Sequence, residues 1–106
     1  MARRNRFVDP TEGLSPVASL VRRAARLRRK GDDRQAMLLL KEAAHGHAEE
    51  AKLWVLYGVQ CTRVGRFDTA VQALNHAVWL RTRAGEHAKA RVTRGLIDAA
   101  GTSRAA

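Results

Sequence analysis

Four residues recur at a fixed distance along this chain. Gly31, Ala36, Leu40 and Ala43 return as Gly65, Ala70, Leu74 and Ala77, each pair 34 residues apart. A constant period of about 20–50 residues marks an architecture of stacked units, none of which can bury its apolar face alone. Within the units the apolar residues follow helical spacing: Val17, Leu20, Val21, Ala24 and Leu27 form one stripe, and Ala36, Leu39, Leu40 and Ala43 form the next. No segment shows the alternation or the β-branched and aromatic clusters that a strand requires. The spacing predicts an all-α chain of five helices joined by short turns.

Local signals set the boundaries. Ser15 can cap the first free N–H groups of a helix, and Pro16 suits its first position because no N–H is needed there. Gly31 is expected to end this helix in the left-handed conformation. Asp32 and Asp33 then begin a second helix, Arg34 to about His45. The same pattern restarts after Glu49: a helix over 51–64, a stop at Gly65, a helix over 68–83 and a fifth over 86–100, ended by Gly101. The helical domain should span 15–101, with a first repeat over 17–50, a second over 51–84 and a closing helix over 86–100. Residues 1–14 contain three Arg, Pro10 and Gly13 without an apolar period, which reads as a basic flexible tail. Residues 102–106 read as a flexible C-terminus.

Composition supports close helix packing. Of 106 residues, 45 % are apolar but only 5 % aromatic, and nineteen are Ala, so the core must be built from small side chains. A single cysteine, Cys61, excludes an internal disulfide and a zinc site of several thiolates, and it fits a reducing compartment. Met1-Ala2-Arg3-Arg4-Asn5-Arg6 resembles the charged start of a signal peptide, but Phe7-Val8 leads directly into Asp9-Pro10, without the apolar stretch such a peptide needs. No run approaches the roughly 20 apolar residues of a membrane span. A cytoplasmic location is expected.

Catalytic and metal signatures are weak. His45 and His47 stand two apart, a spacing that does not place them on one helix face, unlike the i, i+4 pair of a metal site. Cys61 has no adjacent base and falls where a core residue is expected, so it reads as a buried, inert thiol. Asp32-Asp33 and Glu49-Glu50 lie at helix starts, where negative charge is favoured. No phosphate-cradling glycine loop or nucleophile turn is present. The expectation is a chain without enzymatic activity, cofactor or metal.

The formal charge is +10, and residues 1–30 carry nine Lys and Arg against two acids, a net of +7. Charge of this size influences partner choice and association rate, not fold. It fits a solvated basic face, an acidic protein partner or a nucleic acid. Nucleic-acid binders usually combine a basic stripe with stacking aromatics. Here Trp54, Tyr57 and Phe67 are expected to fill the repeat core.

The second unit carries Trp54, Tyr57, Gly58, Cys61, Gly65, Phe67, Ala70, Leu74, Ala77 and Leu80 at the places where the tetratricopeptide repeat carries its large and small residues. Over residues 17–100 the chain resembles that family. The first unit matches at Leu20, Ala24, Leu27, Gly31, Ala36, Leu40 and Ala43, but has Arg23 and Asp33 where apolar residues are usual, and Ala48 and Thr82 replace the closing proline of each unit. The resemblance implies a right-handed stack of antiparallel helix pairs, with two repeats and a capping helix. Three repeats are the usual minimum for stability, so a partner or a second copy of the chain is expected to help complete the core.

In the family, the first helices of successive units line a concave groove. Carried onto this chain, those places are Ala18, Val21, Ala25, Arg28 and Arg29, then Lys52, Val55, Val59, Thr62 and Arg63, with Lys89 and Thr93 continuing on the closing helix. The Lys and Asn with which some members clamp a C-terminal carboxylate are replaced by Val21 and Ala25, so that mode is not implied. What the resemblance does imply is a protein-interaction module, an adaptor or small chaperone, that holds an acidic or amphipathic peptide or helix by apolar burial with cations at the sides. The alternative is a basic accessory protein that binds nucleic acid through Arg3, Arg4, Arg6 and the cluster from Arg22 to Arg29.

Overall fold

The computed structural model describes residues 13–105. It is all-helical, with five helices in the described residues: α1 (Pro16–Arg29), α2 (Asp33–Gly46), α3 (Ala51–Arg63), α4 (Phe67–Arg83) and α5 (His87–Ala105). Most of the expected basic tail lies outside the described residues. At the start of α1 the Ser15 hydroxyl accepts a hydrogen bond from the Ala18 amide at 3.1 Å, with Pro16 at the first helical position.

Three of the four connections are the same turn. After α1, Gly31 has φ +81°, its amide bonds the Arg28 carbonyl at 2.9 Å, and the Asp32 amide reaches the Leu27 carbonyl at 2.8 Å. Gly65 repeats this with φ +83° and bonds to Thr62 and, through Arg66, to Cys61; Gly85 repeats it with φ +77° and bonds to Thr82 and, through Glu86, to Arg81. This pair of bonds satisfies carbonyls that a helix end leaves open, and it needs a left-handed residue that only glycine adopts without strain. The third turn was not anticipated. Its sequence signal is a glycine followed five residues later by a buried alanine: Gly31 and Ala36, Gly65 and Ala70, Gly85 and Ala90.

The connection from α2 to α3 is different, and longer. It has no positive-φ residue; instead the Trp54 indole N–H donates to the Ala48 carbonyl at 2.9 Å and ties the loop to α3. This is the place where a closing proline was missing. Neither Asp32 nor Glu50 makes a side-chain cap; Asp33 lies in the first turn of α2, where negative charge is favoured.

Packing runs in chain order, α1 on α2, α2 on α3, α3 on α4 and α4 on α5, with α3 also touching α5. The core is built from small residues, as composition predicted: Ala24, Ala36, Ala43, Ala44, Ala70, Ala73 and Ala77 are all buried. Gly58 on α3 faces α4 so closely that a Cβ added to it would stand 2.6 Å from Leu74 Cγ and 3.2 Å from the Ala70 carbonyl oxygen. Gly58 therefore marks a close contact between the paired helices α3 and α4.

Two expectations about α5 are corrected. The helix does not stop at Gly101 and residues 102–105 are not a loose end; it continues to Ala105. Gly101 has open space around it and φ outside the left-handed range, so nothing turns the chain there. Ala100 is fully buried, the Thr102 hydroxyl donates to the Asp98 carbonyl at 3.0 Å, and Arg104 pairs with Asp68 of α4. Thr93, expected on the groove surface, is fully buried: it accepts a bond from Arg81 Nη1 and donates to the Lys89 carbonyl, both at 2.8 Å. Had α5 continued the repeat register, Val92 would face inward, yet it is 68 % exposed. Among the described residues, no helix is long and apolar enough to cross a membrane.

Candidate functional site

The expected groove divides into parts with different environments. Lys52, Val55, Val59 and Thr62 recur three to four residues apart on α3 and so share one face. Val55, Val59 and Thr62 are half-buried and Lys52 is exposed; the Thr62 hydroxyl is used internally, donating to the Gly58 carbonyl at 3.1 Å. On α1, Val21 packs against the buried core, Ala25 is half-buried, and Arg28 and Arg29 are exposed. Lys52 and Lys89 meet at one cavity of about 370 Å³ between the ends of α3, α4 and α5. Glu49, Glu50 and Glu86 line the same cavity, and Lys89 pairs with Glu86 at 3.2 Å, so this end carries mixed charge.

Arg63 does not serve as a free guide at the groove edge. Its Nε donates to Asp33 Oδ1 at 2.9 Å, and the buried Gln60 amide donates to the Asp33 carbonyl at 2.8 Å, joining the start of α2 to the end of α3. Asp33, which stands where an apolar residue is usual in the family, is a junction between the units. The hydrogen bond from Arg63 holds the Asp33 carboxyl below its ordinary value of 3.8, against the opposing effect of desolvation and with help from Gln60 and the charge of Arg28. A carboxyl protonated less readily when folded adds stability that is present above its unfolded value and lost as pH falls through the folded one. Between about pH 5 and pH 2 the wild-type chain should lose more melting temperature than Asp33→Asn, as thermal denaturation across pH can test.

On the other side of α3 lies a surface that spacing did not reveal. Trp54 is only half-buried, not a filled core position, and its ring meets His45 of α2 at 5.0 Å and His76 of α4 at 4.6 Å, both edge to face. His76 stacks on Trp79 at 5.8 Å, and the Arg83 guanidinium lies 4.5 Å from the Trp79 ring centre. Trp79 is 52 % exposed. Beside this ribbon, α2 and α4 bound a furrow of about 330 Å³, floored by Trp54 and Tyr57 and flanked by Lys41 and Arg66. The legible signal was His76, Trp79 and Arg83 at i, i+3 and i+7 on one helix; their contact with α2 through Trp54 depends on how the helices rotate against one another.

Tyr57 lines the furrow, and Cys61 follows it one turn along α3. Both are buried, they share a side-chain hydrogen bond, and burial pushes both groups above their ordinary values. A thiol kept protonated in this way is a poor nucleophile. Among the described residues, no three His, Cys, Asp or Glu side chains are placed to hold a metal ion. No family model, curated protein or solved structure matches the chain.

Proposed function

We propose that the chain is a non-enzymatic protein-interaction module of the tetratricopeptide type, an adaptor or small chaperone that holds an acidic, amphipathic peptide or helix of a partner protein. The observation that carries this reading is the α3 stripe: Val55 and Val59 are half-buried on one face of the helix that contacts α2, α4 and α5, with the exposed Lys52 one turn away. An apolar strip beside a cation suits a segment held by burial and steered by charge. The lone, buried Cys61 fits work in a reducing compartment such as the cytoplasm. A two-unit stack also leaves room for a second copy of the chain at one end.

The Val55→Asp/Val59→Asp double variant tests this reading. Both side chains are half-buried, so circular dichroism should first show the helices intact. Partner capture should then weaken by about 2 kcal/mol or more, roughly thirtyfold, as expected when a charge enters the centre of an apolar contact. Binding that survives this change but disappears on deleting residues 1–14 would favour the second reading, a basic nucleic-acid-binding accessory protein. That reading draws on the +10 charge and on the half-exposed Trp79 beside Arg83.

A further inference from the structure

We propose that the furrow between α2 and α4 is a second docking surface, which takes an acidic segment of a partner protein presenting one or two apolar side chains. The inference rests on reading the chain as an interaction module, but not on the α3 stripe of Val55 and Val59. Its size sets the first limit. At about 330 Å³ the furrow lies at the small end of ligand pockets, which run to about 1,000 Å³, and it suits side chains in place of a large cofactor.

Charge sets the second. The charged residues lining the furrow are Lys41 and Arg66, with no carboxylate, and among the described residues neither has an acidic partner. Acids near other parts of the stack are already used: Asp33 by Arg63, Asp68 by Arg104 and Glu86 by Lys89. The contrast with the cavity at Lys52 and Lys89, which holds three glutamates, is direct. Leu38 stands at the rim, 37 % exposed and one turn from Lys41, so an apolar contact and a cation are offered together. That pairing selects an acidic amphipathic segment.

The rings argue against a nucleic acid. Bases stack on open aromatic faces. Here Trp54 is already met by His45 and His76, and Trp79 by His76 from the preceding turn and Arg83 from the following one. A base would have to displace these neighbours, whereas an aliphatic side chain can enter the furrow beside them. A second copy is a poor occupant because it brings the same formal charge of +10.

Trp54, one of the two tryptophans of the chain, lines the furrow, so its emission reports the occupancy of this surface. The full chain is titrated with a synthetic peptide of Asp and Glu carrying two leucines one helical turn apart, with the same peptide bearing Lys for each acid, and with oligothymidylate. The acidic peptide should give a saturable change and bind at least about tenfold more tightly than its lysine counterpart. Leu38→Glu and, separately, Lys41→Glu should each weaken it about tenfold while leaving the helical signal intact, because both residues are exposed. Loss of the change through Val55→Asp/Val59→Asp, with Leu38→Glu and Lys41→Glu inert, would place the peptide on the α3 stripe and overturn this surface alone. The proposal is overturned by the absence of a saturable change, by binding indifferent to Leu38→Glu and Lys41→Glu, by oligothymidylate that binds as tightly and competes, or by an emission change with protein concentration alone.

Discussion

Gly58→Val should destabilise the chain by about 3 kcal/mol, lowering its melting temperature by roughly 12–24 °C. A Cβ at this place would stand 2.6 Å from Leu74 Cγ and 2.8 Å from Leu74 Cδ2, and Leu74 is only 1 % exposed. The side chain that would have to move is enclosed, and behind it lies the Ala70 backbone. Overpacking a tight core costs about 1–3 kcal/mol and sometimes more, against a total stability of about 5–15 kcal/mol for a natural domain. Gly95 on α5 supplies the control, since it is also helical but has nothing within 4 Å of an added Cβ. Gly95→Ala should gain about 1 kcal/mol from helix propensity, raising the melting temperature by about 4–8 °C. A wild-type melting curve for Gly58→Val would show that α3 and α4 do not meet at this glycine.

Leu53→Ala should have an effect of similar size, a loss of about 2–5 kcal/mol. The core contains many alanines and few large side chains, and Leu53 is one of the largest that is completely buried. Its cluster includes Ala43, Ala44, Ala70 and Ala73, whose methyl groups are fixed directly to helical backbone. Such neighbours have no flexible side chain with which to fill the space, and the cost of a cavity grows when its walls cannot collapse. Urea denaturation should show a lower midpoint with little change in slope. A change below about 1 kcal/mol would mean that the α2–α3 contact is looser than the buried Leu53 implies.

The parts of this fold that were legible in the sequence are those written in local chemistry. Ser15 and Pro16 start α1, Gly31 and Gly65 take the left-handed conformation, and Gly58, Ala70 and Ala77 mark close contacts at the places given by the 34-residue period. Each depends on one residue type or one helical spacing. The junction of Asp33 with Gln60 and Arg63 spans about thirty residues and depends on the angle between α2 and α3, which no one-dimensional pattern contains. Trp54 was misplaced for the same reason: its size fits a core position, but the gap between α2 and α4 leaves its ring half open. On α5, Gly101 carries the residue type of a stop without the turn that would use it, whereas Gly85 has both. The candidate groove was legible as a stripe on α3, but which of its cations are already paired became visible only in three dimensions.

The central claim is that this chain binds protein, and affinity capture from the source cell with and without nuclease, followed by salt titration of the recovered complex, tests it most directly. The account predicts a protein partner that remains after nuclease, is lost from Val55→Asp/Val59→Asp, and responds to salt mainly through its association rate. A complex that disappears with nuclease, or whose affinity falls with salt at a log–log slope of several units, would contradict it.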